Sequence, residues 1–192
     1  MKITKIKTNA GGFGTPVTVE LDAVVERMKS PKTKEVADRI AAVALSSRIA
    51  IGQGAPRHLL LDSDKLPYLV FGTVFKEKSF DKIASATGLL MLDIPCPQGH
   101  RQVEVLKRRV SQIPYTLLAF AGVSGVTLKV VVRCDYIGET ETDAYLAFLK
   151  DAHESAARLY TSLAECNLLV SEQTLTRGCR LSFDPNLYYN AR

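Results

Sequence analysis

The stretch Gly88-Leu-Leu-Met-Leu-Asp93 constrains this chain more than any other. Its apolar run is continuous rather than alternating, which predicts a central strand buried on both faces. A carboxylate buried unpaired in mid-strand would be costly, so Asp93 is expected where the strand emerges. Ile94-Pro95-Cys96-Pro97 follows, and two prolines cannot continue a central strand. A carboxylate at the mouth of such a strand suits chemistry. It suits a turn or a helix cap equally well.

At 192 residues, with 46% apolar and 23% charged side chains, residues 1–192 are expected to form a single domain with a sizeable core. No run approaches the length of a membrane span and no signal-peptide pattern is visible, so a cytoplasmic chain with no membrane partner is expected. Cys96, Cys134, Cys166 and Cys179 form no CxxC pair and read as reduced packing residues rather than a zinc site. His58, His100 and His153 have no ligand spacing. The net charge of +5 is mild, but its distribution is uneven. From His100 to Arg133 six basic residues face Glu104 alone, whereas from Cys134 to Glu172 eight acids face two bases. A basic stretch beside the Asp93 strand suits a phosphate-bearing partner, and also suits the solvated face of a helix.

Along the chain, residues 1–8 alternate like a strand, and Gly11-Gly-Phe-Gly14 reads as a turn without the Gly-Lys-Ser/Thr of a phosphate loop. Thr18 can cap a short helix with Leu21, Val24, Val25 and Met28 on one face. A second helix is expected from Thr33 to Ala50, with Val36, Ile40, Val43 and Ala44 inward. Asp62-Ser-Asp64 invites a metal but lies in a polar loop without a third carboxylate nearby. Tyr68 to Phe75 reads as a strand and Lys76 to Ser85 as a polar connector.

Beyond Ala86 the predicted order is strand 87–93, helix 98–112, strand 116–121, hairpin turn, strand 127–134, helix to Glu165, and a fourth strand at 179–183. Thr140-x-x-Asp143 would cap the long helix, whose stripe is Tyr145, Phe148, Leu149, Ala152, Ala156, Leu159, Tyr160 and Leu163. The sum is an α+β chain: a ferredoxin-like (RRM-like) β-α-β-β-α-β core over about residues 86–184, with an N-terminal α/β elaboration over 1–85. In that topology the first and third core strands are adjacent and antiparallel. Lys129 then shares the open face with Thr127, Val131 and Arg133, near Asp93, while Leu128, Val130 and Val132 meet the helices. The N-terminal elements would cover part of the open face, because Leu89 and Met91 also point there.

Three stretches, Ala86-Thr-Gly-Leu-Leu-Met-Leu-Asp93, Val123-Ser-Gly-Val-Thr-Leu-Lys129 and Arg177-Gly-Cys-Arg-Leu-Ser-Phe-Asp-Pro-Asn-Leu-Tyr-Tyr-Asn190, together with Leu66-Pro67 and Phe71-Gly-Thr73, resemble the VirE N-terminal domain family of Bacteroides-type mobile-element proteins. That family is related to the archaeo-eukaryotic primase and primase-polymerase superfamily. The resemblance implies a role in mobile-element DNA replication, with nucleic acid or a nucleotide as partner and a helicase-like ATPase, fused or separate, alongside. Active superfamily members hold Mg2+ or Mn2+ on two or three carboxylates, and those ions bind the triphosphate and activate the attacking hydroxyl. Here Asp93 matches the first carboxylate, Pro95 stands at the second acid position, and the late acid has no matched residue; Glu172 and Asp135 are the substitutes at hand. Lys129 takes the basic position, with Ser124 and Gly125 in the turn before it.

The expected catalytic pair is therefore Asp93 and Lys129. The expected nucleic-acid or nucleotide contacts are Ser124, Gly125, Lys129, Arg133 and Arg177, with Lys107, Arg108 and Arg109 as outer ones, and the metal carboxylates would be Asp93 and Glu172. Because one acid position is lost, the resemblance implies a catalytically degenerate primase-like domain that retains binding. An active metal-dependent primase or polymerase, and a protein-interaction module docking the ATPase, are the alternatives. Arg177 could instead make a salt bridge within the C-terminal motif, Asp184 suits a structural turn there, and Tyr188 and Tyr189 could stack bases or pack the tail.

Overall fold

In a computed structural model, residues 1–9, 12–55, 63–76, 79–80, 82–138, 140–169 and 171–191 are described. His58 and Asp62 lie outside them, so the Asp62-Ser-Asp64 motif is not seen whole. The chain runs β1 (Lys2–Asn9), β2 (Gly12–Glu20), α1 (Leu21–Lys29), α2 (Lys34–Gly52), β3 (Tyr68–Val70), β4 (Thr73–Phe75) and β5 (Ile83–Ala86). It continues β6 (Leu89–Pro95), α3 (His100–Val110), β7 (Thr116–Ala121), β8 (Thr127–Arg133), α4 (Thr142–Ala164), β9 (Gly178–Arg180) and β10 (Tyr188–Tyr189). The fold is α+β, built on antiparallel sheets.

The Gly88–Asp93 run forms β6, and every residue from Leu89 to Ile94 is buried. It pairs antiparallel with β8, Leu89 opposite Arg133 through Pro95 opposite Thr127, which sets Asp93 across from Lys129. Strand parity then sorts the side chains. Leu90, Leu92 and Ile94 join Leu128, Val130 and Val132 against Val103, Leu106 and Val110 of α3 and Ala156, Tyr160 and Ala164 of α4. Leu89, Met91, Val131 and Phe120 face the other way, onto Leu21, Val24, Val25 and Met28 of α1, onto Ile3, Leu69 and Cys179 of a second sheet, and onto Phe71 just after β3. Each such aliphatic side chain contributes roughly 1.5–3 kcal/mol when fully buried, so both faces of the β6–β8 pair are committed to the core. The two sheets are ordered β10-β7-β8-β6 and β2-β1-β3-β9, and β4 pairs with β5.

The expected helix faces of α1 and α2 are the buried ones; Val36 is only partly covered. Elsewhere the structure corrects the sequence. Of the expected turn Gly11–Gly14, Gly11 lies outside the described residues and Gly12 opens a strand that runs to Glu20 at a sheet edge, a position where proline is tolerated. Thr18 lies within that strand, and the N-cap position of α1 is Glu20, without a side-chain cap. Tyr68 to Phe75 breaks into β3 and β4, because β3 joins the second sheet while β4 turns to pair with β5 inside the expected connector. Gly72 sits at the break, where a Cβ would come within 2.9 Å of the Leu89 carbonyl. The long helix α4 is capped by the Glu141 carboxylate, which accepts from the N–H groups of Asp143 (3.2 Å) and Ala144 (2.8 Å), not by Thr140. Leu163 at its end faces solvent.

The largest correction concerns the fourth core strand. The expected strand at 179–183 exists as β9 but pairs with β3 in the second sheet, Leu69 opposite Cys179. Gly178 permits that approach, since any Cβ there would collide with the Leu69 carbonyl. The β6–β8 sheet keeps the predicted first-third-second order of β6, β8 and β7, but β6, expected to be central, stands at one edge because the fourth strand that would flank it has joined the other sheet; β10 forms the opposite edge, Tyr188 opposite Ala119. A lysine on the inward face of α3 fastens the tail. Lys107 of α3 is 4% exposed, and its Nζ donates to Asp184 (2.6 Å), Glu104 (2.7 Å) and the Asn186 carbonyl (3.3 Å). The Asp184 carboxylate also accepts from the Ala121 N–H (2.8 Å) and the Asn186 N–H (3.0 Å), which makes it the expected structural turn. Breaking one side of a buried pair strands the other charge. Asp184→Ala should therefore cost about 3–5 kcal/mol, read as a lower urea midpoint at unchanged m-value.

Candidate functional site

Asp93 lies near the end of β6, on the face turned toward the second sheet, and is 6% exposed. Two cations meet on its carboxylate. Lys129 Nζ donates to Oδ1 at 2.5 Å, and an Arg177 guanidinium nitrogen donates to Oδ2. Both bases keep some contact with solvent, at 17% and 26% side-chain exposure. The three residues come from β6, β8 and the turn before β9, so the cluster spans the seam between the sheets. Gly122 lies beside this lysine; a Cβ there would collide with Thr127 Oγ1 at 2.2 Å and stand 3.4 Å from Lys129 Cε. Arg177 holds its Nε buried with no hydrogen-bond partner among the described residues. One negative and two positive charges leave the seam with a surplus of one positive charge.

The other expected site residues are placed differently. Ser124 is buried, and its carbonyl accepts from Arg48 Nε of α2 at 2.9 Å. Gly125 adopts a φ of 75°, and a Cβ there would lie 2.9 Å from the same guanidinium. The turn before Lys129 is thus held by Arg48, a contact no spacing in the sequence indicates. Arg133 is not part of the cluster. It stands four residues along β8 from Lys129, about 13 Å, and donates to the Asn190 carbonyl. Lys107 is buried in its pair with Asp184, and Arg109 donates to the Ala164 carbonyl (3.1 Å) and Glu165 (3.0 Å) at the end of α4, which leaves exposed Arg108 of the expected outer contacts. Tyr188 packs on the helix-side core and Tyr189 on the opposite one, where its hydroxyl donates to Asp22.

The donor set does not fit a magnesium or manganese ion. The single carboxylate at the seam is already satisfied by two cations, and Glu172 is exposed and makes no bond to it. Among the described residues no group of three or more His, Cys, Asp or Glu side chains gathers to hold a metal. The four cysteines are free thiols. Burial pushes Cys96 and Cys134 up to about 11 and Cys179, which lies against the cluster, up to about 12. None supplies a thiolate near neutral pH.

His153 of α4 borders this region at the rim of a groove of about 290 Å³ with Arg158, Leu168 and Leu169. The Leu169 N–H donates to the Asp93 carbonyl at 2.8 Å, so this segment lies along the β6 edge. Burial, and secondarily the Arg177 charge, lower the His153 pKa against the opposing pull of Asp93 and Glu154.

What the fold and seam define is an α+β domain with a charge-surplus ion cluster between its sheets. Residues 62–189 match the model of the BT4734-like N-terminal domain, and the chain belongs to that family. No curated protein and no solved structure matches the chain. No helix among the described residues is long and apolar enough to cross a membrane.

Asp93→Asn removes the counter-charge from both bases. It should destabilise the fold by about 3 kcal/mol in urea titrations, whereas Lys129→Gln, which leaves the Asp93–Arg177 pair, should cost less. His153 favours the neutral form when folded, so its contribution weakens as pH falls below the unfolded value of about 6.5. His153→Gln should show a smaller loss of stability between neutral and mildly acid pH than the wild type.

Proposed function

We propose that this chain is a catalytically degenerate, primase-polymerase-like domain that binds the phosphates of nucleic acid in mobile-element DNA replication. The observation that carries the proposal is the positive surplus at the seam. Two partly exposed bases share one sequestered carboxylate. A phosphate oxygen meeting Lys129 and Arg177 from solvent would complete the charge balance and add charge-assisted hydrogen bonds. Arg48 adds a further exposed cation beside the Ser124–Gly125 turn. The link to the VirE and primase families rests on the motifs that carry Asp93, Lys129 and Arg177. Catalysis by the two-metal route is disfavoured because Asp93 holds bases instead of ions.

A second reading, docking of a helicase-like ATPase, draws on α2. Its Leu45 and Ile49 lie one helical turn apart and are 61% and 53% exposed.

Fluorescence anisotropy with single-stranded DNA over a range of salt concentrations tests the proposal. Binding should fall with salt, persist in EDTA, and weaken in Lys129→Gln with a slope shallower by about 0.7. Asp93→Asn, assayed where it is folded, should bind at least as tightly as the wild type, since it adds positive charge. Binding that needs a divalent ion and vanishes in Asp93→Asn would instead restore the enzyme. Absence of binding at low salt would favour the docking module.

A further inference from the structure

The groove beside His153 lies outside the motifs that carry the resemblance, and its walls hold chemistry that the seam does not use. One wall is a single face of α4, because His153, Glu154, Ala157 and Arg158 recur one turn apart. The other is the Leu168–Leu169 segment, which the Leu169 N–H fastens to the Asp93 carbonyl at 2.8 Å. Ala157, Leu168 and Leu169 supply apolar surface. Glu154 and Arg158 stand four apart, the spacing at which a carboxylate and a guanidinium on a helix can close on each other. Glu35 and Arg39 of α2 do so at 2.6 Å. Glu154 and Arg158 do not. Both are exposed, and among the described residues neither side chain makes a hydrogen bond or an ion pair. The groove therefore carries an open acceptor and an open donor whose Cβ atoms are about 6 Å apart.

This groove adjoins the seam. Arg177 lines a small cavity with Leu149 of α4, and His153 stands one helical turn, about 5.4 Å, further along the same face. Leu169 reaches the seam by a second route, through the Asp93 backbone. At about 290 Å³ the groove is at the small end of ligand pockets, which run from about 300 to 1,000 Å³, and suits one heterocycle. Unstacked bases are recognised by contacts to their flat faces and by hydrogen bonds to their edges. Of the four DNA bases guanine alone offers two adjacent N–H donors, N1 and the exocyclic N2, to one carboxylate, and its O6 beside them accepts from arginine. We propose that this groove binds a guanine base, with Glu154 accepting from N1 and N2, Arg158 donating to O6, and His153, Ala157 and the two leucines packed against the ring. The inference rests on the nucleic-acid reading above and adds a base preference to it.

The test measures anisotropy with a twelve-nucleotide oligothymidine and with the same strand carrying one central deoxyguanosine, deoxyinosine, deoxyadenosine or deoxycytidine. The guanine strand should bind about tenfold more tightly than oligothymidine. Deoxyinosine, which lacks the N2 amine, should lose most of that gain. Glu154→Gln should abolish the preference, so that the guanine strand and oligothymidine bind equally. Lys129→Gln should weaken both strands and keep their ratio near tenfold, because it removes a phosphate contact alone. Equal binding of all the strands by the wild type overturns the guanine groove and leaves the phosphate reading standing. A preference for adenine or cytosine overturns it too, as does a guanine preference that survives Glu154→Gln. A wild type that binds none of the strands removes both proposals together.

Discussion

The pair of strands β6 and β8 is buried on both faces, and an ionised group in such a place must bring its partners with it. Asp93 meets that requirement twice, with Lys129 from the neighbouring strand and Arg177 from 84 residues away. The second partner has the longer reach in consequence. It arrives at the head of β9, so the pairing that neutralises the carboxylate also brings the last strand of the second sheet against β3. Desolvation penalises a lone carboxylate far more than a bonded one, so the three groups keep the two sheets in one relative position.

How much of this was legible in the residues depends on distance along the chain. The continuous apolar run declared β6, and strand parity declared both faces of β8, including the meeting of Lys129 with Asp93. The stripe Leu21, Val24, Val25, Met28 declared α1. Edge strand β2 was hidden because its leading glycines read as a turn and Thr18 as a helix cap. For β9 the composition revealed a strand but could not name its neighbour, since sheet partners are chosen by packing elsewhere in the molecule. Lys107 had a signal that went unused: it shares a helical face with Val103 and Val110, which a solvated lysine has no reason to do. For Arg177 the residues alone allowed a salt bridge within the C-terminal motif or a phosphate contact; the geometry supplies a bridge, but to Asp93 of β6 outside that motif, and leaves the guanidinium partly open to solvent.

The candidate site is therefore better suited to holding charge than to moving it. A carboxylate that has already accepted two strong donors is a poor ligand for a divalent ion, and thiols held far above neutral pKa are poor nucleophiles. Partly exposed bases with a surplus of one positive charge are well suited to a phosphate. Membership of the BT4734-like family rests on residues 62–189, while the core that supports the seam also draws on Ile3 and the whole inner face of α1.

The second sheet is assembled from residues 2–9, 12–20, 68–70 and 178–180, so its strands are brought together from segments far apart in the sequence. During synthesis the β1–β2 hairpin and the apolar face of α1 emerge well before the strand that completes their sheet. Contacts of such long sequence separation are slow to form. During that interval β3 has an open edge and α1 an uncovered stripe, the surfaces by which nascent chains associate wrongly. The architecture thus links completion of the second sheet to Gly178–Arg180, a segment that must find β3 from more than a hundred residues further along the chain.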